Sequence, residues 1–213
     1  MSWEIVKEAT DLLLTKSIIK DLESRLMSKE IYSKKTNWLK SSNYAINTIS
    51  KNVYGNKVKR DLLKAVYYLR CNYYWKRKEM VLLENELTNV IFEYFPEEAI
   101  FNLIQGSIYL RKVTDNLKLS VKNKKLIAEN LNLSYLFLNK ALKQTNDSDV
   151  TVAISWTLVW MYHLSGKKEE LMKEIIKIKK IEGGNIGKGW ALWLTWLGSD
   201  LEEDNILFLT KKL

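Results

Sequence analysis

The sequence contains few residues that interrupt helices or build reactive sites. Its 213 residues include one proline, one cysteine, one histidine and eight glycines. Sheet proteins need many tight turns, and turns usually use glycine and proline, so this scarcity favours long helices with few breaks. No stretch alternates strictly between apolar and polar residues, as a half-buried strand would. The composition therefore predicts an all-α protein.

The single cysteine and the apolar runs indicate the compartment. Cys71 excludes an internal disulfide and cannot build a zinc site by itself. The apolar run Val152–Leu164 is shorter than the roughly 20 residues that cross a bilayer, which indicates a buried helix. Glu4, Glu8 and Asp11 interrupt the N-terminal apolar residues, which is not typical of a signal peptide. We therefore expect a cytoplasmic protein with no membrane partner.

Few residues are suited to catalysis. His163, the one histidine, lies near the end of an apolar helix, where histidine usually caps carbonyl groups or lines a groove. No HExxH or CxxC spacing occurs, and the glycine-rich string 183–189 lacks the preceding strand of a phosphate loop. The paired acids at 97–98, 169–170 and 202–204 begin predicted helices, where they stabilise the helix dipole. The sequence predicts no catalytic residue, no metal, no cofactor and no enzymatic activity.

Apolar periodicity and chain breaks predict the helices. The predicted spans are 2–14, 17–33, 38–53, 58–95, 97–113, 119–144, 149–164, 168–181, 188–198 and 201–212. The links between the later helices are short, which favours antiparallel neighbours.

A weak repeat with a period near 34 residues occurs in the later part of the chain. Ala65 and Ala99 lie 34 residues apart, as do Leu158 and Leu192. Residues that fit the first helices of such repeats are Ala65, Tyr68, Cys71, Trp75, Ala99, Asn102, Gly106, Tyr109, Leu158, Tyr162, Gly166, Leu192 and Trp196. Residues that fit a second helix are Ser134, Leu138, Ala141 and Leu142, displaced by an insertion near 114–126.

In these positions the chain resembles the tetratricopeptide (TPR) family over about 65–213, with Pro96 in the place of a closing proline. The resemblance implies antiparallel helix pairs stacked as a short α-solenoid, preceded by an N-terminal helical segment. It suggests two domains, a basic segment at 1–56 and a repeat array at 57–213. A helical bundle without repeats is the alternative.

The same resemblance implies a concave groove lined by the first helix of each pair, and a regulatory or adaptor protein that binds a peptide or protein segment there. The groove residues that it assigns are Tyr73, Lys76, Ser107, Trp156, Trp160, His163 and Trp190. Packing in the core is the alternative for each tryptophan, because an exposed stripe with so many apolar residues would promote aggregation.

A second candidate surface lies in an acid-free stretch between Glu30 and Asp61. Its basic residues are Lys34, Lys35, Lys40, Lys51, Lys57, Lys59 and Arg60. Tyr32, Trp38, Tyr44 and Tyr54 are interleaved with them. Cations can displace counterions from phosphates and aromatic rings can stack on bases, so the stretch predicts a nucleic-acid-binding regulator as an alternative function. An acidic protein partner and an ordinary solvated helix face are the other interpretations.

Part of this stretch faintly resembles a helix-turn-helix, with Ser28–Lys35 as first helix and Ser41–Ser50 as recognition helix. Together the two halves resemble the peptide-sensing regulators of Gram-positive bacteria and their phages, which join a DNA-binding domain to peptide-binding repeats. A phage or plasmid effector that occludes a host protein is a further alternative, and the chain could also form a homodimer.

Overall fold

A computed structural model describes residues 3–33, 37–51, 55–119 and 123–183, and within these ranges the chain is helical and contains no strand. The prediction of an all-α protein is confirmed. The helices are α1 (Trp3–Met27), α2 (Trp38–Lys51), α3 (Asn56–Lys76), α4 (Met80–Glu86), α5 (Phe92–Tyr94), α6 (Ala99–Leu117), α7 (Lys124–Gln144), α8 (Ser148–Leu164) and α9 (Lys168–Glu182). A single 3₁₀ turn covers Lys29–Tyr32, and a wide π-type turn covers Leu87–Ile91.

Several predicted boundaries were wrong. Helix α6 ends at Leu117 and not at 113, and the helix expected from 119 begins at Lys124. The helices expected at 2–14 and 17–33 form the single helix α1, because no glycine or proline separates them. The long helix expected at 58–95 is interrupted after α3, where Lys78 adopts the left-handed backbone conformation with φ of 60°. The helices expected at 188–198 and 201–212 lie outside the described residues.

The chain divides into two compact units, Met1–Ile91 and Phe92–Leu213. The domain boundary suggested at 56/57 falls inside the first unit, in the first turn of α3, and α3 packs against α2. No helix in the described ranges is both long enough and apolar enough to cross a membrane.

Trp38 organises the core of the first unit, where α1, α2 and α3 contact one another. Its side chain is fully buried, and its indole N–H donates to the carbonyl of Leu22 at 2.9 Å. The ring stacks on Tyr73 with centroids 4.7 Å apart. Trp38 therefore fixes α2 against both α1 and α3.

The described part of the second unit, up to residue 183, contains two helix pairs. α6 packs along α7, α8 packs along α9, and α8 also contacts α6 and α7. Gly106 allows the first pair to approach closely, because a β-carbon there would lie 2.9 Å from the Leu138 side chain. Helices α6 and α8 are buried around most of their circumference, over Phe101–Ile108 and Val152–Tyr162.

Candidate functional site

Most of the described residues assigned to the TPR-like groove lie in the interior. Tyr73, Ser107, Trp156 and Trp160 are all buried, and Trp190 lies outside the described residues. Every tryptophan whose side chain is described is buried, which corresponds to the core-packing alternative. The reason lies in α6 and α8, which are covered on nearly all sides and leave little of an open first-helix face.

The two remaining groove residues are Lys76 and His163. In the first unit, the Lys76 ammonium donates to the carbonyl of Leu26 at 3.1 Å, so it closes the end of α1. In the second unit, His163 is exposed at the end of α8 and stacks on Trp160 with centroids 5.1 Å apart. Burial of part of its ring lowers the pKa of His163. Lys76 therefore makes a contact within the fold, while one edge of the His163 ring is accessible to solvent.

Helix α2 has two chemically different faces. Its buried face consists of Trp38, Ser42, Ala45 and Ile49. Its exposed face, here called the α2 outer face, consists of Lys40, Tyr44, Asn47 and Lys51. These four follow one another at spacings of four, three and four residues, so they form one stripe on the helix. The helix contains no acidic residue.

The start of α3 extends this basic surface. Lys57 and Arg60 are exposed there, and the Lys59 ammonium donates to the carbonyl of Ser50 at 2.7 Å. That contact places the first turn of α3 against the last turn of α2, next to Lys51. The structure therefore places the start of α3, which carries Lys57, Lys59 and Arg60, beside the last turn of α2, which carries Lys51. Lys40 lies further along the α2 outer face, whereas Lys34 and Lys35 lie outside the described residues.

The helix dipole favours a cation at Lys51, in the last turn of α2, but it does not explain Lys57 and Arg60 at the start of α3. The first turn of α3 contains no acid, and its N-cap, Gly55, provides no side-chain hydrogen bond. Positive side chains at a helix N-terminus oppose the helix dipole, at a cost of about 0.3–1 kcal/mol each when exposed. Lys57 and Arg60 are exposed at that end of α3, so their placement has a local cost in stability, whereas the Lys59 ammonium is hydrogen-bonded to the Ser50 carbonyl at the end of α2. Placement against local preference is more typical of functional positions.

A buried ion pair holds α2 in place behind its outer face. The Arg70 guanidinium donates from Nε to Glu86 Oε1 at 2.7 Å and from Nη2 to Glu86 Oε2 at 2.9 Å. Its Nη1 donates to Ser42 Oγ at 3.1 Å and to Asn43 Oδ1. Burial by itself lowers the pKa of Arg70, but the hydrogen bond and charge of Glu86 outweigh it, and the pKa is raised. One guanidinium thus connects α2, α3 and α4.

Two clefts flank the α2 outer face. The cleft against α1 has a volume of about 510 Å³ and is bordered by Lys40 and Tyr44. The cleft on the other side has a volume of about 300 Å³, with Asn47 at its edge and the Arg70–Glu86 pair in its wall. The outer face of α2 therefore stands as a ridge between two depressions.

The two segments of the predicted helix-turn-helix have different structures. The residues expected to form its first helix, from Ser28 onward, form only the 3₁₀ turn Lys29–Tyr32 as far as the structure describes them. The expected recognition helix Ser41–Ser50 lies within α2.

Sequence reasoning missed the Arg70–Glu86 pair, since the two residues lie 16 positions apart on different helices and no motif marks them. Cys71 beside it is fully buried, and burial followed by the charge of Glu86 raises the pKa of its thiol. Among the described residues, no group of three or more His, Cys, Asp or Glu side chains is placed to hold a metal ion.

Comparison with known proteins identified no relative of this chain. No family model matches the chain, and neither the curated proteins nor the solved structures contain a match.

Proposed function

We propose that this protein is a nucleic-acid-binding protein whose first unit contacts the phosphate backbone through the α2 outer face and the adjoining start of α3. The observation that carries the proposal is the acid-free stripe Lys40, Tyr44, Asn47 and Lys51 on α2. The contact of Lys59 with Ser50 places the start of α3, with its exposed Lys57 and Arg60, against the last turn of that helix. Such a surface has the three kinds of side chain that nucleic acids engage, namely cations, an amide and an exposed aromatic ring.

The shape of the surface suits the same partner. From Lys40 to Lys51 the stripe extends about 16 Å along the helix. A helix with its side chains is about 10–12 Å across, which matches a B-DNA major groove about 12 Å wide. Tyr44, which is 60% exposed, can alternatively stack on an unpaired base. The ridge between two clefts keeps these groups clear of neighbouring helices.

The test is fluorescence anisotropy of labelled duplex DNA, single-stranded DNA and single-stranded RNA of mixed sequence. Four phosphate contacts predict that affinity for duplex DNA falls about a hundredfold between 50 and 200 mM salt. The variant Lys40→Gln/Lys51→Gln/Lys57→Gln should lose most of the binding and most of the salt dependence. Tyr44→Ala should weaken single strands more than the duplex.

A matched control removes the same charge from the second unit. Lys168, Lys173 and Lys179 are exposed on α9, and their triple glutamine variant has the same net charge as the α2–α3 variant. We expect it to bind nearly as the unmodified protein does. Equal losses of affinity in both variants would show that binding depends only on net charge. Selective binding of polyglutamate over nucleic acid would indicate an acidic protein partner instead.

We infer a second function, binding of a peptide or protein segment, from the paired helices of the second unit. The order α6, α7, α8, α9, with α8 contacting both helices of the preceding pair, is what TPR-like stacking requires. Gly106 stands where that family has a small residue, and it faces Leu138 on the second helix. These features support a TPR-like array, although the contact surface must differ from the tryptophan groove.

The exposed surface for such a partner includes the outer flank of α9. Met172 and Ile176 lie one turn apart there and are 45% and 63% exposed. Selection of binders from a random peptide library gives the test. Peptides recovered with the unmodified protein should fail to bind Met172→Lys/Ile176→Lys but should bind the Lys168→Gln/Lys173→Gln control. Recovery of no peptide, or equal binding to all three proteins, would argue against this second function.

A further inference from the structure

A row of side chains on α7 points away from the core of the second unit. The buried side of α7 consists of Asn130, Ser134, Leu138 and Ala141. On one flank of the helix, outside that buried side, residues follow at alternating spacings of three and four, as in the seam of a coiled coil. This row, here called the α7 seam, consists of Leu126, Glu129, Leu133, Leu136, Lys140 and Lys143.

The leucines of the seam are exposed although they have the spacing of packed residues. Leu126, Leu133 and Leu136 are 41%, 39% and 60% exposed. Isolated exposed leucines are ordinary, but three in one row on the solvent side of a helix form an apolar strip. None of the three belongs to the buried core cluster formed by the described residues of this unit, so that cluster does not account for their spacing.

The seam is complementary to itself when two copies run antiparallel. If Leu133 of one copy faces Leu136 of the other, Glu129 faces Lys140 and Leu126 faces the aliphatic stem of Lys143. The twofold axis repeats each contact, so one register creates two leucine contacts and two ion pairs. In a parallel arrangement in register, Glu129 would face Glu129 and Lys140 would face Lys140, which is repulsive.

We propose that the α7 seam is the interface of a homodimer in which two α7 helices pack antiparallel. Side chains at these positions already have weak partners in the single chain. The Glu129 carboxylate lies 3.9 Å from the Lys125 ammonium, and the Lys140 ammonium lies 5.9 Å from the Phe92 ring centroid. Both contacts are exposed or long, and contacts of that kind contribute little. The charged groups can therefore reorient to face the second copy.

The size of the interface predicts the strength of association. The seam from Leu126 to Lys143 is about 26 Å long. A single pair of helices of that length buries less surface than a standard stable interface, so the dimer should dissociate on dilution. The equilibrium is measured by sedimentation equilibrium of the full chain over a range of protein concentrations.

Charge reversal tests the register. Glu129→Lys alone and Lys140→Glu alone each replace two attractive pairs with two repulsive ones, so each should raise the dimer dissociation constant more than about tenfold. The double variant Glu129→Lys/Lys140→Glu should restore dimerisation. Mixing the two single variants should give a heterodimer, in which each reversed residue meets an opposite charge.

Two further variants separate the interface from folding and net charge. Lys124→Glu changes the charge of α7 as much as Lys140→Glu does, but at an exposed position off the seam, and it should leave the dimer intact. Leu136→Lys should abolish the dimer while far-ultraviolet circular dichroism stays helical. A monomer at every concentration, or a dimer that tolerates both single reversals, would overturn the proposal.

Discussion

Arg70 and Glu86 form a bidentate ion pair inside the first unit, with both side chains only 10% and 12% exposed. The pair lies behind α2, because the same guanidinium also donates to Ser42 and Asn43. The position of the proposed nucleic-acid surface therefore depends on an interaction that is itself mostly buried.

Breaking this pair from one side should destabilise the protein strongly. Glu86→Gln leaves the guanidinium buried without its counter-charge, and we expect a loss of about 3–5 kcal/mol in the free energy of unfolding. Replacing both partners, as in Arg70→Met/Glu86→Leu, should cost much less because no buried charge is left uncompensated. Urea unfolding of the single and double variants measures the difference, and equal losses would show that the ion pair is not the relevant contact.

The contact between Gly106 and Leu138 should be sensitive to a single methyl group. An alanine β-carbon at 106 would lie 2.9 Å from the Leu138 side chain and 3.3 Å from the Ser134 carbonyl, so the Leu138 side chain or the two helices would have to shift. We expect Gly106→Ala to cost about 1–3 kcal/mol, although alanine favours helices.

A double-mutant cycle identifies the cause of that loss. Leu138→Ala should cost about 2–5 kcal/mol by itself through the cavity it leaves. In the double variant the new methyl group occupies part of the cavity. The double variant should therefore lose clearly less stability than the sum of the two single losses. Strict additivity in thermal or urea unfolding would contradict the proposed steric contact.

Asp147 should act as the N-cap of α8. Its carboxylate accepts hydrogen bonds from the backbone N–H of Asp149 at 2.8 Å and of Val150 at 3.1 Å. Asp147→Ala removes both acceptors and should cost about 1 kcal/mol, whereas Asp147→Asn should retain most of the stability. The neighbouring Asn146→Ala, at an exposed position, is the matched control and should have almost no effect on the unfolding midpoint.

Tyr162 should make the protein less stable in strong alkali. Burial, followed by the nearby Tyr135 and the charges of Glu174 and Glu170, raises the pKa of Tyr162 from 10.0 to about 12. The folded state then retains a proton that the unfolded chain releases, so stability is fully present below about pH 10 and is lost as pH rises towards 12.

The matched variant Tyr162→Phe has no phenol to ionise at this position. Its free energy of unfolding should therefore fall less steeply than that of the unmodified protein over the same alkaline window. Urea unfolding at several alkaline pH values, with tyrosinate absorbance followed in parallel, measures both effects. Parallel pH profiles for the two proteins would show that Tyr162 titrates normally.

The contrast between α2 and α8 shows how far sequence reasoning reaches. Helix α2 is amphipathic, so the spacing of Trp38, Ala45 and Ile49 already determines that Lys40 and Tyr44 face solvent. Helix α8 is apolar on all sides, so its pattern determines a helix but not which side of it faces a neighbour. That is why Trp156 and Trp160 could be assigned to a groove and yet lie in the core.

The sequence by itself determined the helical class and the ends of α8 and α9 to within one residue of the prediction, because helix formation depends on local periodicity, caps and breaks. It also determined that residues 31–60 carry no acid. Only the tertiary structure decided that Lys51 meets the start of α3, that Arg70 pairs with Glu86, and that the tryptophans are buried. Those relationships join residues distant in sequence, and packing between helices, which has no local signature, creates them.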